Sequence, residues 1–314
     1  MVAIVLGIVI SGIMDKIDKS VDVFNDITPK NETTQPAEPE KVKTDATEKA
    51  KLKELKDEFV KMVKEKYPTV ELSFAIKNLD TGESVIYNDK QMNSASLIKL
   101  FILETVYSEN AADKYELTDD AKEDLGIMIT KSDNDAANRF IDDFGGQNEK
   151  RKVEATNIIN KTIKAHGYKH TELNRKMHDT TPPEGPSGYN NYTSAADVCE
   201  FLEGIYNKTL LKEPFNTETL SLMKKQERRT KIPDKISEKY PDVIVANKTG
   251  ELSQVENDAA LIMSDDFNLV FVVLTDGIPL NEDGTTDYDM KKDVQSTISE
   301  LGLRLVEFYK ENNF

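Results

Sequence analysis

From Ser96 to Tyr107 the chain reads S-L-I-K-L-F-I-L-E-T-V-Y, and Leu97, Ile98, Leu100, Phe101, Ile102, Leu103 and Val106 leave it no polar face. A helix that is apolar all round has to be buried, so the fold must build a core around this segment. Lys99 interrupts it. The lysine stands three residues after Ser96, so both side chains leave the same helical face. An ammonium group in such a place is costly, and desolvation lowers its pKa toward that of a usable base. A hydroxyl at a helix N-terminus beside a desolvated amine has what an activated nucleophile needs. The spacing is not decisive by itself. Ser221-Leu222-Met223-Lys224 repeats it and runs into K-Q-E-R-R, a solvated stretch where a lysine needs no explanation.

The rest of the composition excludes several classes of function. The chain has 314 residues, 38% hydrophobic and 31% charged, enough for one large domain or two small ones. Its net charge of −16 speaks against a nucleic-acid partner, which needs a basic face, and against adsorption to anionic lipid by charge. The single cysteine, Cys199, falls on an apolar position of a helical pattern and is read as a small core residue, so no disulfide forms within the chain. His166, His170 and His178 share one polar stretch without the cysteines or spaced carboxylates of a metal site. Neither a metal nor another cofactor is expected.

Val2–Met14 is an unbroken apolar run. At about 1.5 Å per residue it reaches about 20 Å, short of the roughly 30 Å of a bilayer core. It has neither the basic lead nor the cleavage site of a signal peptide. We read it as a membrane anchor, one that a truncated or misplaced start would have shortened. Residues 15–49, with T-P-K-N-E-T-T-Q-P-A-E-P-E-K-V-K, read as a flexible polar linker, and Asn31-Glu32-Thr33 fits a glycosylation sequon. An anchor and spacer of this kind would hold residues 50–314 off the extracellular face of a bacterial membrane.

The folded part begins with an amphipathic helix over about Thr47–Lys66, striped by Leu52, Leu55, Phe59 and Val63. Two strand-like runs, V-E-L-S-F-A-I-K-N-L and E-S-V-I-Y-N-D, are joined at Asp80-Thr81-Gly82 as a hairpin. Mostly helical pattern follows from about 96 to 225. Strands then return in D-V-I-V-A-N-K, D-A-A-L-I-M and N-L-V-F-V-V-L-T, and a helix over about Asp289–Tyr309 closes the chain. Strands at both ends with helices between predict an α+β fold. One antiparallel sheet is built by both chain ends and flanked by helices, with an inserted helical lobe and a ligand cleft between the two.

Two further motifs complete a set. Ser132-Asp133-Asn134 precedes a helix, and Lys248-Thr249-Gly250 ends a strand. Singly they are a helix cap and a strand running into a turn. Together with Ser96-x-x-Lys99, in this order, they form the set S-x-x-K, S-D-N, K-T-G of β-lactamases and penicillin-binding proteins. From about residue 50 onward the sequence resembles the class A β-lactamase-like serine hydrolases, supported by M-I-T-K-S-D-N-D-A-A-N, T-E-L-N-R, Y-T-S-A-A-D-V and N-K-T-G-E-L.

The resemblance implies roles. Ser96 would be the nucleophile and Lys99 its activating partner, and Ser132 would relay a proton to the leaving nitrogen. Asn134 would bind the substrate's side-chain amide. Lys248 and Thr249 would bind its carboxylate, and Gly250 would let it lie against the strand. The backbone N–H groups of Ser96 and Glu251 would form the oxyanion hole. Two departures stand out. The stretch between Lys99 and Ser132 is short. The family's deacylating glutamate, two residues past Arg175, is replaced by Met177, and its following proline and asparagine are not recognisable. His178, Asp179 and Glu184 are the nearby groups that would substitute for it if the loop folds differently. The expectation is therefore a serine hydrolase that forms an acyl-enzyme with β-lactams and releases it slowly. A peptidase or penicillin-binding protein acting on D-alanyl peptides is the alternative, and a non-catalytic surface domain a third. The expected partner is a small molecule, with membrane contact through the N-terminal segment only, and nothing in the sequence speaks to oligomeric state.

Overall fold

The computed structural model describes residues 41–145, 157–178 and 190–314, so the expected anchor and most of the expected linker lie outside the described residues. Helix α1 (Lys41–Lys66) starts earlier than its stripe predicts and takes in the last part of that linker. Its Glu48 is buried, accepting hydrogen bonds from Asn78 Nδ2 at 2.8 Å and the Tyr309 hydroxyl at 2.9 Å. These partners lie on elements far away in sequence, so no local pattern extends the helix that far. The expected stripe of Leu52, Leu55, Phe59 and Val63 is buried.

Strands β1 (Glu71–Asn78) and β2 (Ser84–Tyr87) form the expected hairpin. Asn78 Oδ1 caps the turn by accepting from Asp80 N at 2.9 Å, and Gly82 supplies the left-handed residue at φ +81°. After a short β3 (Met92–Asn93) and a 3₁₀ turn (Ala95–Leu97) come α2 (Ile98–Ala111), α3 (Asp119–Thr130), α4 (Asn134–Asp143) and α5 (Ile158–Ala165). β4 (Tyr192–Thr193), α6 (Ala195–Tyr206), α7 (Phe215–Lys224) and α8 (Pro233–Lys239) follow. The chain ends in β5 (Ile244–Leu252), β6 (Val255–Met263), β7 (Asn268–Asp276) and α9 (Tyr288–Asn312).

The main sheet has the order β2-β1-β7-β6-β5, antiparallel throughout, so the last strand of the chain lies beside the first and both chain ends build it. Both faces are covered, so the residues of the inner strand β7 are apolar without interruption from Leu269 to Leu274. The pleat sorts them: Val270, Val272 and Leu274 join the core shared with the central helices, while Leu269, Phe271 and Val273 face α1 and α9. Helix α2 runs through the first of these cores, with Ile98 to Tyr107 all buried. Ile98, Leu100, Phe101, Ile102, Leu103 and Val106 are each fully buried, worth about 1.5–3 kcal/mol apiece. That sum outweighs the several kcal/mol that a buried lysine costs, so the helix carries Lys99 inward with it.

The small β3–β4 pair, Met92 opposite Thr193 and Asn93 opposite Tyr192, has no counterpart in the sequence reading, because two-residue strands leave no periodicity. It joins the segment just before Ser96 to the one just after the loop beyond Arg175.

Candidate active site

Ser96 sits in the 3₁₀ turn that feeds α2, immediately after Ala95, whose φ of +46° is unusual for a residue with a side chain. Ser94 holds this turn from both sides. Its N–H donates to Asn191 O at 2.9 Å, and its own carbonyl accepts from Leu97 N at 3.0 Å. Strand β5 presses on the turn at Gly250. A Cβ there would stand 2.7 Å from Ser94 O and 3.2 Å from Ser96 N. The glycine is therefore required by the packing of β5 against the Ser96 turn, an internal reason that stands beside the ligand contact expected for it.

β5 is the edge strand of the sheet. Leu252 and Val255 close the two-residue turn to β6, with Glu251 opposite Glu256 as the next pair. In such a hairpin the closing pair exchanges hydrogen bonds and the next does not, so the Glu251 N–H points away from the sheet. It faces outward on the strand that abuts Ser96.

Lys99 is completely buried, and its Nζ reaches four oxygens. They are Ser96 Oγ at 3.2 Å, Ser132 O at 2.7 Å, Ser132 Oγ at 3.3 Å and Asn134 Oδ1 at 2.6 Å. From the other side Lys248 Nζ donates to Ser132 Oγ at 2.8 Å and to the Thr249 carbonyl at 2.7 Å. The Ser132 hydroxyl thus bridges two buried amines. Ser132 adopts φ +62°, and the next residue, Asp133, caps α4 by accepting from Ala136 N at 2.8 Å. The S-D-N segment is a helix cap and a site element at once. Burial pushes Lys99 from 10.5 to about 7, with Asp133 opposing the shift and Arg228 adding to it. Lys248 is pushed well below its ordinary value by burial and then by the nearby cations Lys99, Lys231 and Arg228. Nearby Asp258 is raised to about 6 by burial, against the pull of Lys231.

A cleft of about 100 Å³ opens over Ser96. Asn134 and the segment 175–178 line one side, with Glu251 and Leu252 on the strand side. Lys248 and Thr249, expected at the substrate carboxylate, are both buried and do not line this cleft. The opposite wall is fixed by two asparagines. Asn138 takes Met177 N at 2.8 Å and gives its Nδ2 to Met177 O at 3.1 Å. Asn191 accepts from Asn174 N and Arg175 N at 2.8 and 3.0 Å and donates to Arg175 O at 3.0 Å. Met177, standing where a glutamate is expected, lines the cleft and packs against the helical core. His178 follows in a left-handed conformation, φ +60°, with Nε2 2.5 Å from Asn134 Nδ2.

Several residues of this region are invisible to sequence reasoning. K-Q-E-R-R is not simply solvated: Gln226 is buried and donates to Ile129 O at 2.6 Å, and Arg228 pairs with Glu251 at 2.7 Å. Lys231 is fully buried between Glu251 at 3.0 Å and Glu256 at 2.7 Å. Its acidic partners lie on β5 and β6, so nothing local distinguishes it from a surface lysine. The repeated tetrad ends, as expected, on an exposed Lys224. Cys199 is a core residue whose thiol burial pushes up to about 12. The histidines scatter: His166 Nδ1 meets the buried Glu104 in the helical core, and His178 meets Asn134.

A family model described as the beta-lactamase enzyme family matches residues 53–124 and 120–309. No curated protein matches the chain. Among solved structures, the β-lactamase from Sphaerobacter thermophilus DSM 20745 is 20% identical with a TM-score of 0.64, covering 80% of this chain and 97% of that one. An ancestral class A β-lactamase, reconstructed for the last common ancestor of Gram-negative bacteria, is 18% identical with a TM-score of 0.65, covering 81% and 99%. PBP-A is 21% identical with a TM-score of 0.63, covering 80% and 96%. At these identities the structures speak to the fold, which they share over nearly their whole length. The family model spans almost all of the folded chain, and on that ground the chain belongs to the β-lactamase enzyme family.

Proposed function

We propose that the protein is a serine hydrolase in which Ser96 forms an acyl-enzyme with β-lactams, and that it releases the acyl group slowly. One observation carries the reading: the Ser96 hydroxyl lies 3.2 Å from the amine of a fully buried lysine whose pKa is brought to about 7. A neutral Lys99 accepts the Ser96 proton as Oγ attacks the lactam carbonyl. The proton passes by way of the Ser132 hydroxyl, within 3.3 Å of Lys99, to the nitrogen leaving from the opened ring. Ser96 N–H and the outward Glu251 N–H bind the developing oxyanion. Asn134 holds the acyl-side amide, and Lys248 and Thr249 draw the substrate carboxylate toward Ser132. One of the similar structures, a PBP-A variant, is described as an acyl-enzyme complex with penicillin G.

Slow release follows from Met177, a thioether that neither accepts a proton nor orients water. A second reading, action on D-alanyl peptides, is favoured by β5 being an edge strand, against which an extended peptide can lie. We further propose that Val2–Met14 tethers the domain outside the cell, in which case protease added to intact cells releases it. Among the described residues no helix is long and apolar enough to cross a membrane.

Intact-protein mass spectrometry after incubation with penicillin G tests the central claim. One penicilloyl group should add, map to Ser96, and be absent from Ser96→Ala. An adduct on Ser221, or none with any acyl substrate, refutes it.

A further inference from the structure

Release of an acyl group from Ser96 needs a base within reach of a water in the cleft. Among the described residues lining it, few side chains qualify. Asn134, Asn190 and Asn191 take no proton, Met177 has none to exchange, and Lys176 is engaged by Asp142 at 2.5 Å. Glu251 is a carboxylate, but burial, which raises its pKa, is outweighed by Lys231 and Arg228, which hold it below the usual range and occupy both its oxygens. His178 is different: its imidazole is exposed on the wall of the cleft.

Its placement is built rather than incidental. Asn138, donating to Met177 O and accepting from Met177 N, fixes the backbone of Met177. The left-handed turn at His178 then swings the ring across to Asn134. Asn134 commits its Oδ1 to Lys99 at 2.6 Å, so it presents Nδ2 to the imidazole, and Nε2 must be the acceptor. An accepting Nε2 belongs to a neutral ring with its proton on Nδ1, the state required of a general base. Ser96, Lys99, Asn134 and His178 therefore form one hydrogen-bonded series.

We propose that His178, rather than the residue at position 177, activates the water that releases the acyl group from Ser96. The inference rests on the acyl-enzyme reading above. When the amide of the bound acyl group takes over Asn134 Nδ2, the Nε2 lone pair is set free toward the cleft. Nε2 removes a proton from water as the water oxygen bonds to the ester carbonyl carbon. The tetrahedral intermediate collapses by breaking the bond from that carbon to Ser96 Oγ, and the proton returns from the imidazolium to Oγ. A carboxylic acid leaves and Ser96 is restored, with one water consumed. The ring approaches by way of the group that also binds substrate, so release is slow but not absent.

The test is to load the full chain with penicillin G, remove the excess, and follow loss of the adduct by intact-protein mass spectrometry. Wild type is compared with His178→Ala and His178→Gln. Both variants should lengthen the adduct half-life about a hundredfold, the usual worth of a positioned base. Free imidazole should shorten the His178→Ala half-life at least about tenfold by entering the vacated space. Glutamine can still hydrogen-bond Asn134 but accepts no proton from water. A His178→Gln half-life within about twofold of wild type would therefore reduce His178 to a support for Asn134 and overturn the proposal. So would failure of imidazole to rescue His178→Ala, or a wild-type adduct that never decays. Absence of any wild-type adduct would refute the acyl-enzyme reading and this inference with it, whereas adducts that form in all three proteins and decay alike would refute this inference alone.

Discussion

Replacing Lys99 with methionine removes the amine while keeping its length and apolar stem, and the structure sets what should follow. Lowering the lysine from 10.5 to about 7 corresponds to about 5 kcal/mol of differential stability between its charged and neutral forms. If the neutral amine is the base for acylation, the wild-type rate rises tenfold per pH unit below about 7 and then levels off. At about pH 5 it should be near a hundredth of the plateau. Lys99→Met should lose about a hundredfold or more at every pH and show no such limb. Stability moves as well, with a definite sign. The folded value lies below the unfolded one, so between about 7 and 10.5 the unfolded chain binds the extra proton. Wild-type stability relative to Lys99→Met therefore falls as pH is lowered through that window, and the difference is constant below it. Stopped-flow acylation by a fluorescent penicillin, with urea unfolding of both proteins at about pH 6.5 and pH 9.5, reads both effects. Acylation that is flat from about pH 5 to 8, or a methionine variant within fivefold of wild type, would refute the assignment of Lys99 as base.

Gly250→Ala should push β5 off the Ser96 turn, because its Cβ would meet a backbone carbonyl at 2.7 Å. Overpacking of this kind costs about 1–3 kcal/mol, so a lower urea midpoint together with slower acylation is expected, and a variant with wild-type values of both would show that the turn yields freely. Lys231→Met leaves the carboxylates of Glu251 and Glu256 facing one another without the buried cation between them. Breaking such a pair on one side costs about 3–5 kcal/mol. Calorimetry should show a correspondingly large loss of stability, and a loss under about 1 kcal/mol would mean that Arg228, on Glu251, and Lys291, 3.0 Å from Glu256, suffice to hold the two acids.

What the sequence determined by itself follows from chemistry that is local along the chain. The stripe of α1, the hairpin at Gly82, the all-apolar α2 and the three late strands were legible because burial imposes a period on neighbouring residues, whatever the partner element. Two of the motifs were legible for a related reason, each being a short run whose backbone form is encoded on the spot, a helix start and a helix cap. Lys248-Thr249-Gly250, expected at a strand end, instead lies inside β5, because pairing with β6 carries the strand on to Leu252. The tertiary structure alone decided how those runs meet. Two lysines share the Ser132 hydroxyl only because α2, the cap of α4 and β5 converge there. Gly250 answers to the carbonyl of Ser94, and Lys231 to acids on two strands, and neither relation leaves a mark in sequence spacing. The loop past Arg175 shows the division most plainly. The chain reveals that position 177 is a methionine, but Asn138 and Asn191, reaching in from elsewhere, determine which side chain of that loop faces Asn134. Local periodicity records how much of a residue is buried, whereas chemistry at a site depends on direction and distance between segments, which only the packed chain supplies.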